Sequence, residues 1–236
     1  MTIRLPTAPE GGSRMGRIGS VSGKLRATVL FAALVVMAAS PAHGQPAGKP
    51  GAQAQAAPAS KEAVDGTLHV CSSCHGFGGR SISPTFPRLA GQQKDYLVAQ
   101  LKAFRDKTRA DPHAQTYMWG MAAHLSDPMI EAVAAYYSAQ PPVAGTPGAS
   151  PEIAAGAKIF AEGIPPAKAP ACMSCHGAKA AGNGPIPRLA GQHRAYLVRQ
   201  LEAFASKARA NAIMHEQSKS LTQEQISEVT AFLATQ

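Results

Sequence analysis

Aromatic residues are scarce in this chain: seven Phe, five Tyr and one Trp make up 6% of 236 residues. Cores built on so few rings would be thin, so something large and apolar other than side chains is expected to fill them. Charge is sparse too. Asp, Glu, Lys and Arg together reach 16%, and the formal charge of +9 is unevenly placed. Residues 1–44 hold five basic residues (Arg4, Arg14, Arg17, Lys24, Arg26) and one acid (Glu10), leaving 18 basic and 13 acidic residues beyond them. The chain without that segment is only mildly basic. It has no basic run interleaved with aromatics, which excludes the usual nucleic-acid-binding pattern. Period-two apolar alternation is also missing, and with it the signature of a sheet.

Long apolar runs are missing as well. The one candidate, Ala27 to Ala39, has 13 residues, whereas a helix spanning a bilayer needs roughly 20. It follows the basic Lys24 and Arg26 and precedes Ala42-His43-Gly44, whose small residues suit the −3 and −1 positions of a cut before Gln45. Residues 1–44 therefore read as a secretory signal cleaved near Gly44, with Met15 an alternative start and an uncleaved anchor the competing reading. The expected mature protein is soluble and periplasmic.

Residues 45–60 form an Ala/Gln/Pro-rich lead-in, and a second breaker-rich stretch, 141–150, reads as a linker. The segments on either side of that linker, 61–140 and 151–236, repeat one another. Over Phe86–Ala110 and Ile186–Ala210, 16 of 25 positions are identical. Such internal repetition marks a duplicated domain. Each copy reads as three helical stretches. Ser150, Pro151 and Glu152 suit an N-cap, a first-turn proline and a dipole-matched acid, and Gly163 is the expected stop. Tyr96, Leu97, Leu101 and Phe104 recur at helical spacing after Gly91, as do Tyr196, Leu197, Leu201 and Phe204 after Gly191. The last helix begins near Ser126 in one copy and Thr222 in the other, where Thr222 and Gln225 fit a capping box. The expected fold is all-α, twice.

Only four cysteines are present, and each pair is followed by a histidine: Cys71-Ser72-Ser73-Cys74-His75 and Cys172-Met173-Ser174-Cys175-His176. Two thiols three positions apart on a turn entering a helix can form thioethers to the two vinyl groups of one porphyrin. The adjoining histidine is then aimed at the iron. Two disulfides would not require the histidines. A zinc site pairs CxxC motifs about 15–20 residues apart, and here the second pair starts 98 residues after the first ends. A thioredoxin-like site would need one CxxC beside a parallel sheet. Two covalently bound haem c groups are therefore expected, held by Cys71, Cys74, Cys172 and Cys175, with iron ligated by His75 and His176.

The distal ligand is sought in the repeat. Met214 lies seven residues before Leu221, and Met118 lies seven before the matching Leu125. Met121 aligns with Gln217 and lacks a counterpart, Met129 falls within the last helix, and Met173 sits in the attachment loop. Met118 and Met214 are the favoured ligands. Thioether sulfur at this position raises the potential and suits electron transfer over oxygen activation. Histidine is the rival ligand type, but His113, His124 and His215 do not recur at matched places. With His69 and His193 they are read as solvated surface residues. Trp119 is read as core, or as packing on the first haem.

CxxCH, then Pro-Arg-Leu-Ala-Gly-Gln, then YLxxQLxAF, then a Met ahead of a capped helix, twice over, resembles the cytochrome c4 family. The match spans nearly all of Lys61–Gln236. The resemblance implies two tandem class I cytochrome c domains about a pseudo-twofold axis, with haem edges near one another. It further implies electron transfer between a quinol-oxidising reductase and a terminal oxidase. Similarity to class I cytochromes also makes the Pro87 and Pro187 carbonyls the acceptors for the ligating histidines. Arg88 and Arg188 are either partners of haem propionates or solvated arginines. Two other readings compete. One is a dihaem peroxidase or thiosulfate-oxidising enzyme, which needs an open iron position. The other is a cytochrome subunit of a dehydrogenase or oxidase complex. The expected partners are redox proteins, through which peripheral membrane association could arise, and no nucleic acid. No catalytic residue is expected.

Overall fold

Caps decide where the helices begin. In the computed structural model, which describes residues 57–236, the Ser60 hydroxyl accepts the Ala63 amide and opens α1 (Lys61–His75). Ser126 does the same for α4 (Asp127–Ser138), Ser150 for α5 (Pro151–Glu162) and Thr222 for α9 (Gln223–Ala234). Each satisfies an amide that the helix cannot pair internally. Thr222 and Gln225 form the full reciprocal box. The expected signal segment, its cleavage near Gly44 and most of the 45–60 lead-in lie outside the described residues.

Between these helices run α2 (Lys94–Arg105) and α7 (Arg194–Ala205), the central pair, one in each half. In the first half, α2 buries Leu97 against Val133, Ala134 and Tyr137 of α4. In the second, Leu197 of α7 meets Val229 and Leu233 of α9 and Phe160 of α5. Among the described residues there is no strand, only the isolated bridges Ile164–Ala169 and Asn183–Ile186. Neither is any described helix long and apolar enough to cross a membrane.

The three helices expected per copy are present, and shorter ones join them. A π-helical turn, Ala114–Met118, runs into α3 (Trp119–Ala122). The second half has α6 (Met173–His176) and α8 (Ala212–Ser218). These pieces are too short for apolar periodicity to register, although the Asn211 side chain caps α8 through the Met214 amide.

The two copies differ most at their first helices. α1 runs unbroken into His75, whereas α5 stops at Gly163 and the second CxxCH rides on α6. Gly156 of α5 lies against the Glu228 carbonyl and Phe232 of α9, where a Cβ would overlap the backbone; its counterpart Gly66 in α1 has open space. Gly156→Ala should therefore destabilise the haem-loaded protein by about 1–3 kcal/mol through overpacking. Gly66→Ala should stabilise it by about 0.5–1 kcal/mol, because an exposed helical glycine gains order from a methyl group. Thermal unfolding of both variants checks the contrast, and equal behaviour would contradict the close α5–α9 crossing.

Residues 141–150 are irregular but held. Gly91 and Gly191 take left-handed φ values of 66° and 68°. Pro142 lies over the first and the Val143 carbonyl over the second. The Gly145 amide donates to the carbonyl of Gln236 at 2.7 Å, and Arg80 of the first half reaches the Pro141 carbonyl at 3.3 Å. The connection is clamped to both halves.

Candidate functional site

The end of α1 brings Cys71, Cys74 and His75 onto adjacent turns, and α6 with its preceding residue does so for Cys172, Cys175 and His176. All four thiols are free, Cys71 and Cys172 half-buried, Cys74 and Cys175 exposed. Both histidines are buried, each 7% exposed. His75 Nδ1 lies 2.9 Å from the Pro87 carbonyl, and His176 Nδ1 lies 3.0 Å from that of Pro187. The Nδ1–H donates, which leaves Nε2 as the free lone pair on each ring. Burial pushes both imidazoles down from their ordinary range, only partly offset by the proline carbonyl. They are thus held neutral, the form that ligates metal.

His75 opens onto a cavity lined from α1, α2, α4 and the π-helical turn, a concave and mostly apolar site of the kind that holds cofactors. Its walls are apolar: Phe86, Leu97, Leu101, Phe104, Val133 and Tyr137. Cys71 lies on one wall and Met118 on another. The buried Tyr137 hydroxyl has no hydrogen-bond partner among the described residues. One end of the cavity is polar, formed by Gln100, Arg109, Asp111, Tyr96, Tyr196 and Gln200. An apolar slot with a polar end that includes a guanidinium fits a haem, whose ring is apolar and whose edge carries two carboxylates. A zinc site fits poorly, since no three His, Cys, Asp or Glu side chains converge among the described residues.

The π-helical turn places Met118 in the cavity wall; such turns recur at functional sites. Met121, one turn on, is 58% exposed. Met129 packs against the Leu97 core and Met173 against the Phe160 core. Met214 sits half-buried in α8. It lies five residues after Arg209, whereas Met118 lies nine after Arg109, so the two halves bring their methionines in by segments of different length. Trp119 is in neither the core nor the cavity wall: its indole donates to the Arg109 carbonyl at 2.8 Å and Lys107 sits over its ring.

Two of the histidines read as solvated are not so. His193 Nε2 lies 2.9 Å from the Ser81 carbonyl in the other half, and His215 Nδ1 lies 3.0 Å from the Phe204 carbonyl. Each takes up a backbone acceptor that only the folded chain brings near. His69 and His124 are exposed; His113 is half-buried and stacks edge-on with Tyr117 at 5.6 Å.

The residues that sequence reasoning missed form the seam between the halves. Gln92 donates to the Arg188 carbonyl (3.0 Å) and accepts the Arg188 amide (2.7 Å). Gln192 repeats the pattern on Arg88, at 2.9 and 2.8 Å. The Arg88 guanidinium donates to the Ser81 and Gly191 carbonyls, so it serves the seam. Deeper in, Arg109 bonds Gln100 (2.8 Å) and Gln200 (2.7 Å), and Arg209 bonds Gln200 (2.5 Å), Gln100 (2.8 Å) and the Tyr96 hydroxyl (2.9 Å). Each guanidinium stacks on a phenylalanine of its own half, Arg109 on Phe104 at 4.7 Å and Arg209 on Phe204 at 4.5 Å. The glutamine–backbone and arginine–glutamine pairings are reciprocal, as a pseudo-twofold arrangement requires. The available signal was identity: Gln92, Gln100 and Arg109 all match across the repeat.

Comparison with known proteins agrees with this geometry. The Cytochrome c family model matches residues 61–139 and again 153–236. The chain is 38% identical over 173 residues to a cytochrome c4 of Thiocapsa roseopersicina, covering 70% of this chain and 85% of that one. It is 37% identical over 194 residues to a thiosulfate dehydrogenase electron acceptor of Thiomonas intermedia, covering 79% and 87%. The solved structure of Acidithiobacillus ferrooxidans cytochrome c4 superposes with a TM-score of 0.67 at 42% identity, covering 70% of this chain and 98% of that one. Two helical halves, each with a CxxCH whose histidine is set by a proline carbonyl, joined across a reciprocal polar seam and matched by these relatives, make the chain a member of the cytochrome c4 family, with two covalently bound haem c groups.

Proposed function

We propose that the chain is a periplasmic carrier that takes electrons singly from a quinol-oxidising reductase and delivers them to a terminal oxidase or reductase. The observation that supports this most is the pairing of two buried, neutral, carbonyl-anchored histidines within one clamped body. In the bound state the haem irons supply the one-electron couple. His75 and His176 hold the proximal side. Met118 and Met214 would each offer a thioether to one iron, which would exclude external ligands and favour the reduced form. The apolar walls keep water from the first site. Two sites in one molecule let an electron enter at one end and leave at the other. The halves differ in charge: Lys61–Pro142 carries 8 basic and 7 acidic residues, Ser150–Gln236 carries 9 and 6. The second half is therefore the better match for an acidic partner surface.

A second reading has a specific observation behind it. The Thiomonas relative is named for accepting electrons from a thiosulfate dehydrogenase, so the donor here is alternatively a dehydrogenase of that kind, with this chain as its dedicated cytochrome subunit. Mixing the reduced holoprotein with oxidase-containing membranes, and the oxidised holoprotein with a quinol-oxidising complex or a thiosulfate dehydrogenase, separates the two by which donor reduces it at catalytic rates. Reduction by neither donor would sink both.

The cofactor count has its own test. Mass spectrometry under denaturing conditions should show a mature chain beginning near Gln45 plus two haem masses, both surviving acid and solvent because they are bound through thioethers. A mass with disulfides or zinc and no haem would end the reading.

A further inference from the structure

The buried polar cluster at the seam is symmetric in its cations and asymmetric in its anions. Arg109 and Arg209 are each 7% exposed, and both bond the same two glutamines. A carboxylate accompanies only one of them. Asp111, 3% exposed, accepts Arg109 Nε at 2.8 Å. At the matching place in the second half stands Asn211. The Asn211 side chain instead accepts the Met214 amide at 2.8 Å and caps α8. Asn211 is exposed and has no charge. Among the described residues, Arg209 has no ion-pair partner.

Two buried guanidinium groups with one carboxylate leave a positive charge uncompensated, which is expensive away from water. Arg109 and Arg209 stand one in each half and both bond Gln100 and Gln200, so the cations are matched across the seam. Asp111 does not straddle it: its side chain lines the first cavity, with His75 and Met118. Burial pushes its carboxyl up, but Arg109 outweighs that and holds it below the usual carboxylate range, so it is charged at neutral pH. A fixed negative charge in a low-dielectric wall favours the more positive, ferric state of the nearer iron.

We propose that Asp111 is the residue that separates the two haem potentials, holding the first haem below the second. The electron of the half-reduced molecule then rests on the second haem, so the first half is the entry and the second the exit. This rests on the electron-carrier reading and adds a direction to it. Asp111 is a positioning residue for charge and ligates nothing.

The test is a redox titration of holoprotein carrying Asp111→Asn, with the two haems resolved by NMR of their methyl groups in the half-reduced state. The amide keeps the size and shape of the side chain and removes the charge. The expected result is a rise in the first haem's potential, shifting the partition of the shared electron toward the first haem by about tenfold, which is ~59 mV for a one-electron couple. Asp111→Glu should restore most of the difference. Asn211→Asp, which preserves the α8 cap and puts a carboxylate at the matching place in the second half, should lower the second haem instead, and it carries the test if Asp111→Asn does not fold. An unchanged partition in a folded Asp111→Asn protein with both haems attached would overturn the inference and leave the carrier function standing. A protein without two haems would instead overturn the carrier reading itself.

Discussion

Met214→Ala should remove about half of the red charge-transfer absorption that methionine-ligated ferric haem shows, and it should lower the potential of the second haem alone. Met118→Ala should do the same to the first. The half is the fraction expected of two similar sites, and the fall in potential follows from losing a thioether that favours ferrous iron. Met118 lines the first cavity and Met214 stands on the capped α8. Both lie the same distance before the leucine that precedes the last helix. Met121→Ala is the control, because its side chain is 58% exposed; it should leave the band intact. Loss of the band in Met121→Ala, with retention in Met118→Ala, would show that the repeat register misassigned the ligand. Carbon monoxide should bind at neutral pH only to the variants that lose their methionine. Binding by the unaltered protein would favour the peroxidase-like reading.

A second large effect is expected at the seam. Gln92→Ala together with Gln192→Ala removes four hydrogen bonds across the seam and two to the amides of Gln93 and His193, and strands the amide and carbonyl of both Arg88 and Arg188. A buried polar group left without a partner costs about 1–3 kcal/mol, so the pair of changes should cost several. The halves also remain joined through the 141–150 clamp, so loosening is expected before separation. Calorimetry should show one cooperative transition resolving into two. In the intact protein, oxidising one haem should shift the potential of the other, so that the apparent potentials belong to the molecule. In the double variant that coupling should diminish. A single sharp transition with unaltered coupling would mean that the deeper Arg109–Arg209 cluster, not the glutamines, holds the halves.

Legibility from sequence followed how local each feature is. The attachment motifs are contiguous, and the serine and threonine caps act over three residues, so both were readable, as were the amphipathic α2 and α7. The repeat itself gave the register that singles out Met118 and Met214. What stayed hidden is long-range. Gln92 looks like any polar residue ending Pro-Arg-Leu-Ala-Gly-Gln, and only the fold brings it against Arg188, 96 positions away. His193 read as solvated because its acceptor, the Ser81 carbonyl, is 112 positions distant. The π-helical turn at Ala114–Met118 left no trace either, since five residues are too few to show a period. Polar identities across a duplication deserve the attention usually given to apolar ones, because a pseudo-twofold seam demands the same residue on both sides.

Most bonds across that seam end on neutral backbone groups, and among the described residues no ion pair crosses it. Gln92 and Gln192 bond backbone groups, and none of those four contacts involves a net charge. The charged cluster beneath is buried, where mobile ions screen little. Partner docking is different, since it draws on exposed lysines, arginines and carboxylates whose reach contracts to about 8 Å at physiological ionic strength. The molecule thus separates two kinds of association by their response to salt. Its halves stay together while its redox partners come and go, and an ionic atmosphere that loosens such an encounter leaves the internal path between the haems at full strength.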